Sequence, residues 1–209
     1  LEELVKEDPR VMEKIDESVT RILSVKYALG LFEHPYRTGE EERELMQTPA
    51  SLALARKAAA QSAVLLKNED NTLPLKRGKT YFVTGPLADT REDNLGMWCT
   101  CGDAGDVVTP LEALKAQPGI EITFAHGCDY EGYDTAGFAE AIEKAKNADE
   151  ILFFGGETRD WTGENHNKTH ITIPDVQLML LRELKKLGKK IIFVLMTGRP
   201  LAALEMDQL

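Results

Sequence analysis

The sequence predicts an α/β domain, a largely parallel sheet with helices on both faces, preceded by a helical segment. Three observations carry this. Four short apolar runs, residues 79–85, 121–125, 150–155 and 190–198, alternate with helix-forming stretches. The third run, EILFFG, is apolar at consecutive positions, as a strand buried on both faces must be. Strands of that kind separated by helices imply a parallel sheet covered by helices, with right-handed crossovers.

The elements follow in order. Residues 9–29 read as an amphipathic helix, because Ile15, Val19, Ile22, Leu23 and Leu29 recur at three- and four-residue spacing. Gly30 stops it, and Leu31 and Phe32 then need a core of their own. Residues 34–47 are polar and turn-rich and read as a linker; residues 37–62 together form a linker and connecting helix. Thr48 followed by Pro49 caps that helix, which runs along an alanine-rich face to about residue 66. Residues 68–71 turn the chain into the first strand, and the domain proper spans 63–209. Helices are expected at 110–115, at 135–147 with Phe138, Ile142 and Ala145 on one side, and at 174–187 between Pro174 and Gly188. Three loops then leave the carboxyl ends of the strands: residues 85–109, 126–134 and 155–173. In parallel sheets that is the ligand-binding end, and long loops there are usually functional.

Composition narrows the function classes. The 209 residues allow one good core plus an appendage, and a net charge of −10 argues against affinity for nucleic acid or anionic membrane. No run of about 18 apolar residues marks a membrane span. Cys99, Cys101 and Cys128 are too few for a disulfide scaffold, and the C-x-C pair reads as ordinary thiols. Gly85-Pro86 and Gly155-Gly156 complete no nucleotide-binding fingerprint, and His166 and His170 lie in a loop without H-E-x-x-H. Neither a cofactor nor a metal is expected. Leu1 opens neither a signal peptide nor an initiator, and the end shows no stop to a fold; both suggest a piece of a longer chain.

The third loop concentrates chemistry: Glu157, Asp160 and Glu164, His166 and His170, Arg159 and Lys168, with Trp161 among them. A carboxyl group beside a tryptophan suits general acid work, because partial burial penalises its charged form. Sugars also stack on aromatic faces, and Trp98 in the first loop, flanked by Gly96 and Gly102, suits a stacking platform. The bland alternatives are a solvated polar loop and a tryptophan that packs its loop down. Asn167-Lys168-Thr169 fits the N-glycosylation acceptor pattern.

Three sets of segments stand out in order: residues 15–36, with Lys26-Tyr27-Ala28-Leu29-Gly30-Leu31-Phe32 and Pro35-Tyr36; then Ala63-Val64-Leu65-Leu66-Lys67-Asn68 and Leu73-Pro74-Leu75; then Gly85-Pro86-Leu87-Ala88-Asp89, Gly156-Glu157, Glu164, Ile171-Thr172-Ile173-Pro174, Gln177, Leu180 and Gly198-Arg199-Pro200-Leu201. Taken together and in that order they resemble glycoside hydrolase family 3, its bacterial periplasmic β-glucosidases in particular. The first set resembles the end of that family's barrel domain, the second the start of its second domain, and the third its strand ends and acid/base loop.

The resemblance implies that residues 1–36 are the tail of an upstream barrel domain, followed by an α/β sandwich domain of flavodoxin-like type. It implies a retaining exo-acting β-glucosidase in which a barrel aspartate, absent from these residues, is the nucleophile. By position it makes Glu164 the general acid/base, with Glu157 as the rival and Asp160 behind both. The alternative for Glu157 is a structural carboxylate at the strand end, hydrogen-bonded to loop amides. Trp98 falls where the family places an aromatic on the leaving-group side; Trp161 is a second candidate for binding substrate. The implied partners are an oligosaccharide or aryl β-glucoside and the barrel domain, and the implied location is periplasmic or secreted. This piece alone is expected to be inactive. The sequence departs from the family after Glu164: Lys168 stands where relatives carry arginine and His170 where they carry an acid. Two different readings are a non-catalytic flavodoxin-like binding module and a degenerate glycosidase homologue.

Overall fold

The computed structural model describes residues 1–36, 39, 45–202 and 206. The chain divides into two compact units, Leu1–Lys67 and Asn68–Leu209. Residues 37, 38 and 40–44 of the predicted linker lie outside the described residues.

The first unit is helical: α1 (Glu2–Glu7), α2 (Arg10–Ala28) and α3 (Pro49–Ser62). The Thr48 hydroxyl accepts the Ser51 amide at 3.2 Å, and Pro49 occupies the first turn, where its missing N–H costs nothing. Gly30 leaves α2 with φ +66°. None of the three helices has a buried residue. The apolar stripe of α2 is formed, and its Val19, Ile22, Leu23 and Leu29 are all exposed. The core expected for Phe32 is not found in this unit, where that side chain stays exposed. Helix α3 ends at Ser62 rather than near residue 66, because Ala63 takes an extended backbone.

The second unit holds β1 (Lys79–Thr84), α4 (Glu92–Leu95), α5 (Pro110–Lys115), β2 (Ile120–Phe124), α6 (Phe138–Lys146), β3 (Glu150–Gly156), α7 (Asp175–Lys185) and β4 (Lys190–Met196). The four strands form one parallel sheet in the order β2-β1-β3-β4. Alternation along the strands sends side chains to opposite faces. Phe82, Ile151 and Phe153 pack with Ala141 and Ala145 of α6 and Val176, Leu180, Leu181 and Leu184 of α7. Tyr81, Val83, Leu152 and Phe154 pack on the other face with Leu111 of α5. Every residue of β3 is buried, as its continuous apolar run predicts. Full burial of one such Leu or Phe contributes about 1.5–3 kcal/mol, so these two layers hold the sheet. The predicted α/β class, with a parallel sheet and helices on both faces, is the architecture observed.

The crossover through α5 lies on one face and those through α6 and α7 on the other. The winding therefore reverses between the neighbours β1 and β3, and a crevice opens beyond their carboxyl ends. The two long loops, residues 85–109 and 155–173, leave the sheet on either side of it. The first is less irregular than predicted: it contains α4 and a 3-10 turn, Ala104–Asp106. A four-residue helix shows no periodicity, so the sequence gives no sign of it.

Candidate active site

Two glycines bring the loops together at the switch point. Gly85 ends β1 with φ +104°, and a Cβ there would meet the Phe154 carbonyl oxygen at 2.2 Å. Gly156 ends β3 with φ +135°, and a Cβ would meet the Met196 oxygen at 1.9 Å. Only glycine allows these approaches. Gln177, fully buried on α7, accepts the Gly156 amide at 2.8 Å and donates to the Gly156 carbonyl at 2.9 Å and to the Tyr130 carbonyl at 3.0 Å. The second and third loops are thus tied to the same helix.

Glu157 follows immediately. Its side chain has no exposure at all, and it lies 3.3 Å from Lys168 Nζ and 3.2 Å from Arg199 Nε. The Thr197 hydroxyl donates to it at 2.7 Å. The partners are side chains, not the loop amides expected from the sequence. The two ionic contacts are close but not aligned as hydrogen bonds. Breaking such a buried pair leaves an uncompensated charge, which costs about 3–5 kcal/mol. Lys168 also stands 4.0 Å above the Trp161 ring, and Tyr130 meets the same indole edge-on at 6.4 Å between centroids. Arg199 donates to the Trp161 carbonyl. The loop from 157 to 168 is therefore clasped at its base, and Lys168 and Tyr130 occupy much of the Trp161 ring.

The tip of this loop is open. Gly163 has φ +103° and packs on Met97, where a Cβ would meet Met97 Cγ at 2.5 Å. Glu164 and Asn165 form the turn that follows, closed by the His166 amide on the Gly163 carbonyl at 3.3 Å. Glu164 is exposed, without a hydrogen bond or ion pair to the described residues. Asp160 is exposed and 3.8 Å from Arg159. Trp98, next to Met97, is 72% exposed. Loops one and three meet through Met97 and Gly163, which puts Trp98 and Glu164 beside the same contact.

Asp93 was not foreseen from the sequence. It sits on α4, and its Oδ1 accepts the Thr158 hydroxyl at 2.6 Å and the Arg159 amide at 2.8 Å. Its Oδ2 accepts the Thr90 hydroxyl at 2.9 Å and the Tyr130 hydroxyl. Burial alone would raise the pKa of this carboxyl. The hydrogen bonds from Thr158, Tyr130, the Arg159 amide and Thr90 outweigh it and hold the group below the usual carboxylate range. Burial, then the bond to Asp93, pushes the Tyr130 phenol upward. Asp93, Thr158 and Arg159 form the wall between two clefts, one of 510 Å³ beside Tyr130 and Trp161 and one of 430 Å³ beside Trp98 and Glu157.

The remaining candidates are not gathered here. His166 and His170 are exposed, and no group of three His, Cys, Asp or Glu side chains among the described residues is placed to hold a metal. All three cysteines are free thiols, with Cys128 buried and pushed up to about 12 by that burial and by Asp129.

Comparison with known proteins places this geometry in a family. The glycosyl hydrolase family 3 C-terminal domain matches residues 63–208. A periplasmic β-glucosidase of Salmonella typhimurium is 36% identical across 98% of this chain, and a β-xylosidase of Formosa agariphila is 32% identical across 97%. A crystal structure of a β-glucosidase from Listeria innocua in complex with gluconolactone superimposes over 99% of the chain, with a TM-score of 0.81 and 31% identity. A mutant of a Listeria innocua β-glucosidase in complex with laminaribiose superimposes with a TM-score of 0.84 and 29% identity. The chain spans 30% and 29% of the length of the two curated relatives and 28% of the gluconolactone-bound chain. The chain belongs to glycoside hydrolase family 3, with that family's C-terminal domain at residues 63–208.

Proposed function

We propose that this chain supplies the general acid/base half of a retaining, exo-acting β-glucosidase. Glu164 protonates the leaving glycosidic oxygen and then, as base, activates water against the glycosyl-enzyme. The nucleophile is an aspartate on a barrel domain outside these residues, so the 209 residues alone are inactive. One observation supports this reading above others: Glu164 is an exposed carboxylate, unpartnered among the described residues, at the open tip of a loop whose base is clamped by Lys168 and Arg199 on the buried Glu157. Glu157, the rival, has no surface from which to reach a substrate and is engaged by two cations and a hydroxyl. Glu164 lacks the partial burial that acid work favours, and in this proposal the barrel and the bound sugar provide it.

Trp98 offers its exposed face to the leaving-group side, whereas Trp161, under Lys168, acts through its edge on the 510 Å³ cleft. The exposed apolar stripe of α2 packs, in this reading, on the barrel. The parent enzyme is periplasmic or secreted. Because the relatives include β-xylosidases as well as β-glucosidases, xylosyl transfer is the second reading. Relative kcat/KM on aryl β-glucosides and β-xylosides separates the two.

In the full-length enzyme, Glu164→Gln is expected to lower kcat/KM, which reports glycosylation, by roughly 10²- to 10⁴-fold on poor leaving groups, with a much smaller loss of kcat/KM on activated aryl glycosides. Equal losses on both classes would remove Glu164 from the acid role. Trp98→Ala is expected to raise KM for a disaccharide; unchanged disaccharide kinetics would take it out of the site.

A further inference from the structure

Asp93 receives a donor from each of the three loops at the mouth of the sheet: Thr90 from the first, Tyr130 from the second, and Thr158 with the Arg159 amide from the third. Both oxygens are doubly occupied and every partner is a donor. A carboxylate accepts all four as charge-assisted bonds, whereas a carboxamide would have to keep its oxygen on the Arg159 amide and donate its NH₂ to hydroxyls that turn round. The contact falls at the start of the loop that carries Glu164. Thr158 accepts the Asp160 amide at 3.4 Å, capping the 3-10 turn Arg159–Trp161. That turn leads through Trp161, held by Lys168 and Arg199, to Gly163 on Met97 and then to Glu164.

We propose that Asp93 is a positioning residue for the general acid/base: by locking the three loops together it sets where the tip bearing Glu164 stands. This rests on the reading of Glu164 given above. Asp93 itself donates no proton to substrate. It acts through Thr158 and the Arg159 amide, and a tip displaced by about 1 Å from its productive place costs up to roughly 100-fold in rate. Asp93→Asn, although nearly isosteric, removes the charge that strengthens all four bonds and makes the Thr90 and Tyr130 hydroxyls turn from donor to acceptor to keep theirs.

The test is the dependence of kcat/KM, which reports the glycosylation step, on leaving-group pKa for a series of aryl β-glucosides, measured on the full-length enzyme. The variants are Asp93→Asn, Thr158→Val, Thr158→Ser, Glu164→Gln and the double variant Asp93→Asn with Glu164→Gln. Asp93→Asn and Thr158→Val are expected to steepen the dependence, losing roughly 10- to 100-fold in kcat/KM on the poorest leaving groups. Thr158→Ser keeps the hydroxyl and should behave as wild type. The double variant should be no steeper than Glu164→Gln alone, since both changes disable one group. If Glu164→Gln is steep while Asp93→Asn and Thr158→Val slow all substrates by one factor, Asp93 is merely structural and the proposal fails with the acid assignment intact. If Glu164→Gln itself leaves the dependence flat, both readings fall. Should Asp93→Asn not fold, the Thr158→Val and Thr158→Ser pair decides the matter alone.

Discussion

Two glutamates seven positions apart on one loop have opposite surroundings. Glu157 is sealed between Lys168, Arg199 and Thr197, whereas Glu164 faces solvent with no partner among the described residues. Both types and positions were legible in the sequence, and the order of preference between them came from the family pattern. What the sequence could not give was the reason, because the partners of Glu157 lie 11 and 42 positions further on. Asp93 was illegible for the same cause: in the run Arg91-Glu92-Asp93 nothing marks the one carboxylate that turns inward. The role of Lys168 also becomes specific. Its ammonium serves both Glu157 and the Trp161 face. Glu157→Gln should therefore leave two buried cations without their counter-charge and destabilise the domain by about 3–5 kcal/mol. Urea unfolding of the chain measures this; a change under 1 kcal/mol, roughly the worth of an exposed pair, would show that the clasp is not holding the loop.

At the scale of elements, the sequence located all four strands to within about two residues, since continuous apolar runs leave little choice of site. The helices with proline or glycine at their ends were equally clear. The single-turn α4 and the end of α3 were not, because a lone turn has no period and an alanine-rich helix has no defined stop. Glycines in the strand–loop corners make a separable prediction. Gly156→Ala combines φ +135° with a 1.9 Å approach to the Met196 carbonyl, and should cost about 3 kcal/mol or more, as strain and overpacking add. Gly188→Ala, at φ +67° with nothing within 4 Å, should cost only about 1–2 kcal/mol. Equal unfolding midpoints for the two variants would refute the close packing of β3 against β4.

For the molecule as a whole, the buried titratable groups bound the pH range of stability. Asp93 has its folded pKa below the unfolded value, so its contribution is complete above about pH 4 and is lost as pH falls through the folded pKa. Cys128 and Tyr130 are shifted upward, so their contributions are complete below their unfolded values and are lost as pH rises toward the folded ones. For Cys128 that window runs from 9 to about 12. A plot of unfolding free energy against pH should fall at both ends. Asp93→Asn should flatten the acid limb and Cys128→Ala the alkaline one; an unchanged profile in either variant would contradict the assignment.

One product analysis tests the proposed role of Glu164 as general acid/base most directly. In the full-length enzyme, Glu164→Ala removes the proposed base while leaving the nucleophile to form its glycosyl-enzyme from an activated aryl β-glucoside. Azide, which needs no proton removed, should then enter the emptied position from the face once held by Glu164 and restore turnover. Displacement of the α-linked aspartyl ester from that face gives β-glucosyl azide. Rescue with that β-configured product is the predicted result. No rescue, or an α-configured azide, would mean that Glu164 is not the acid/base.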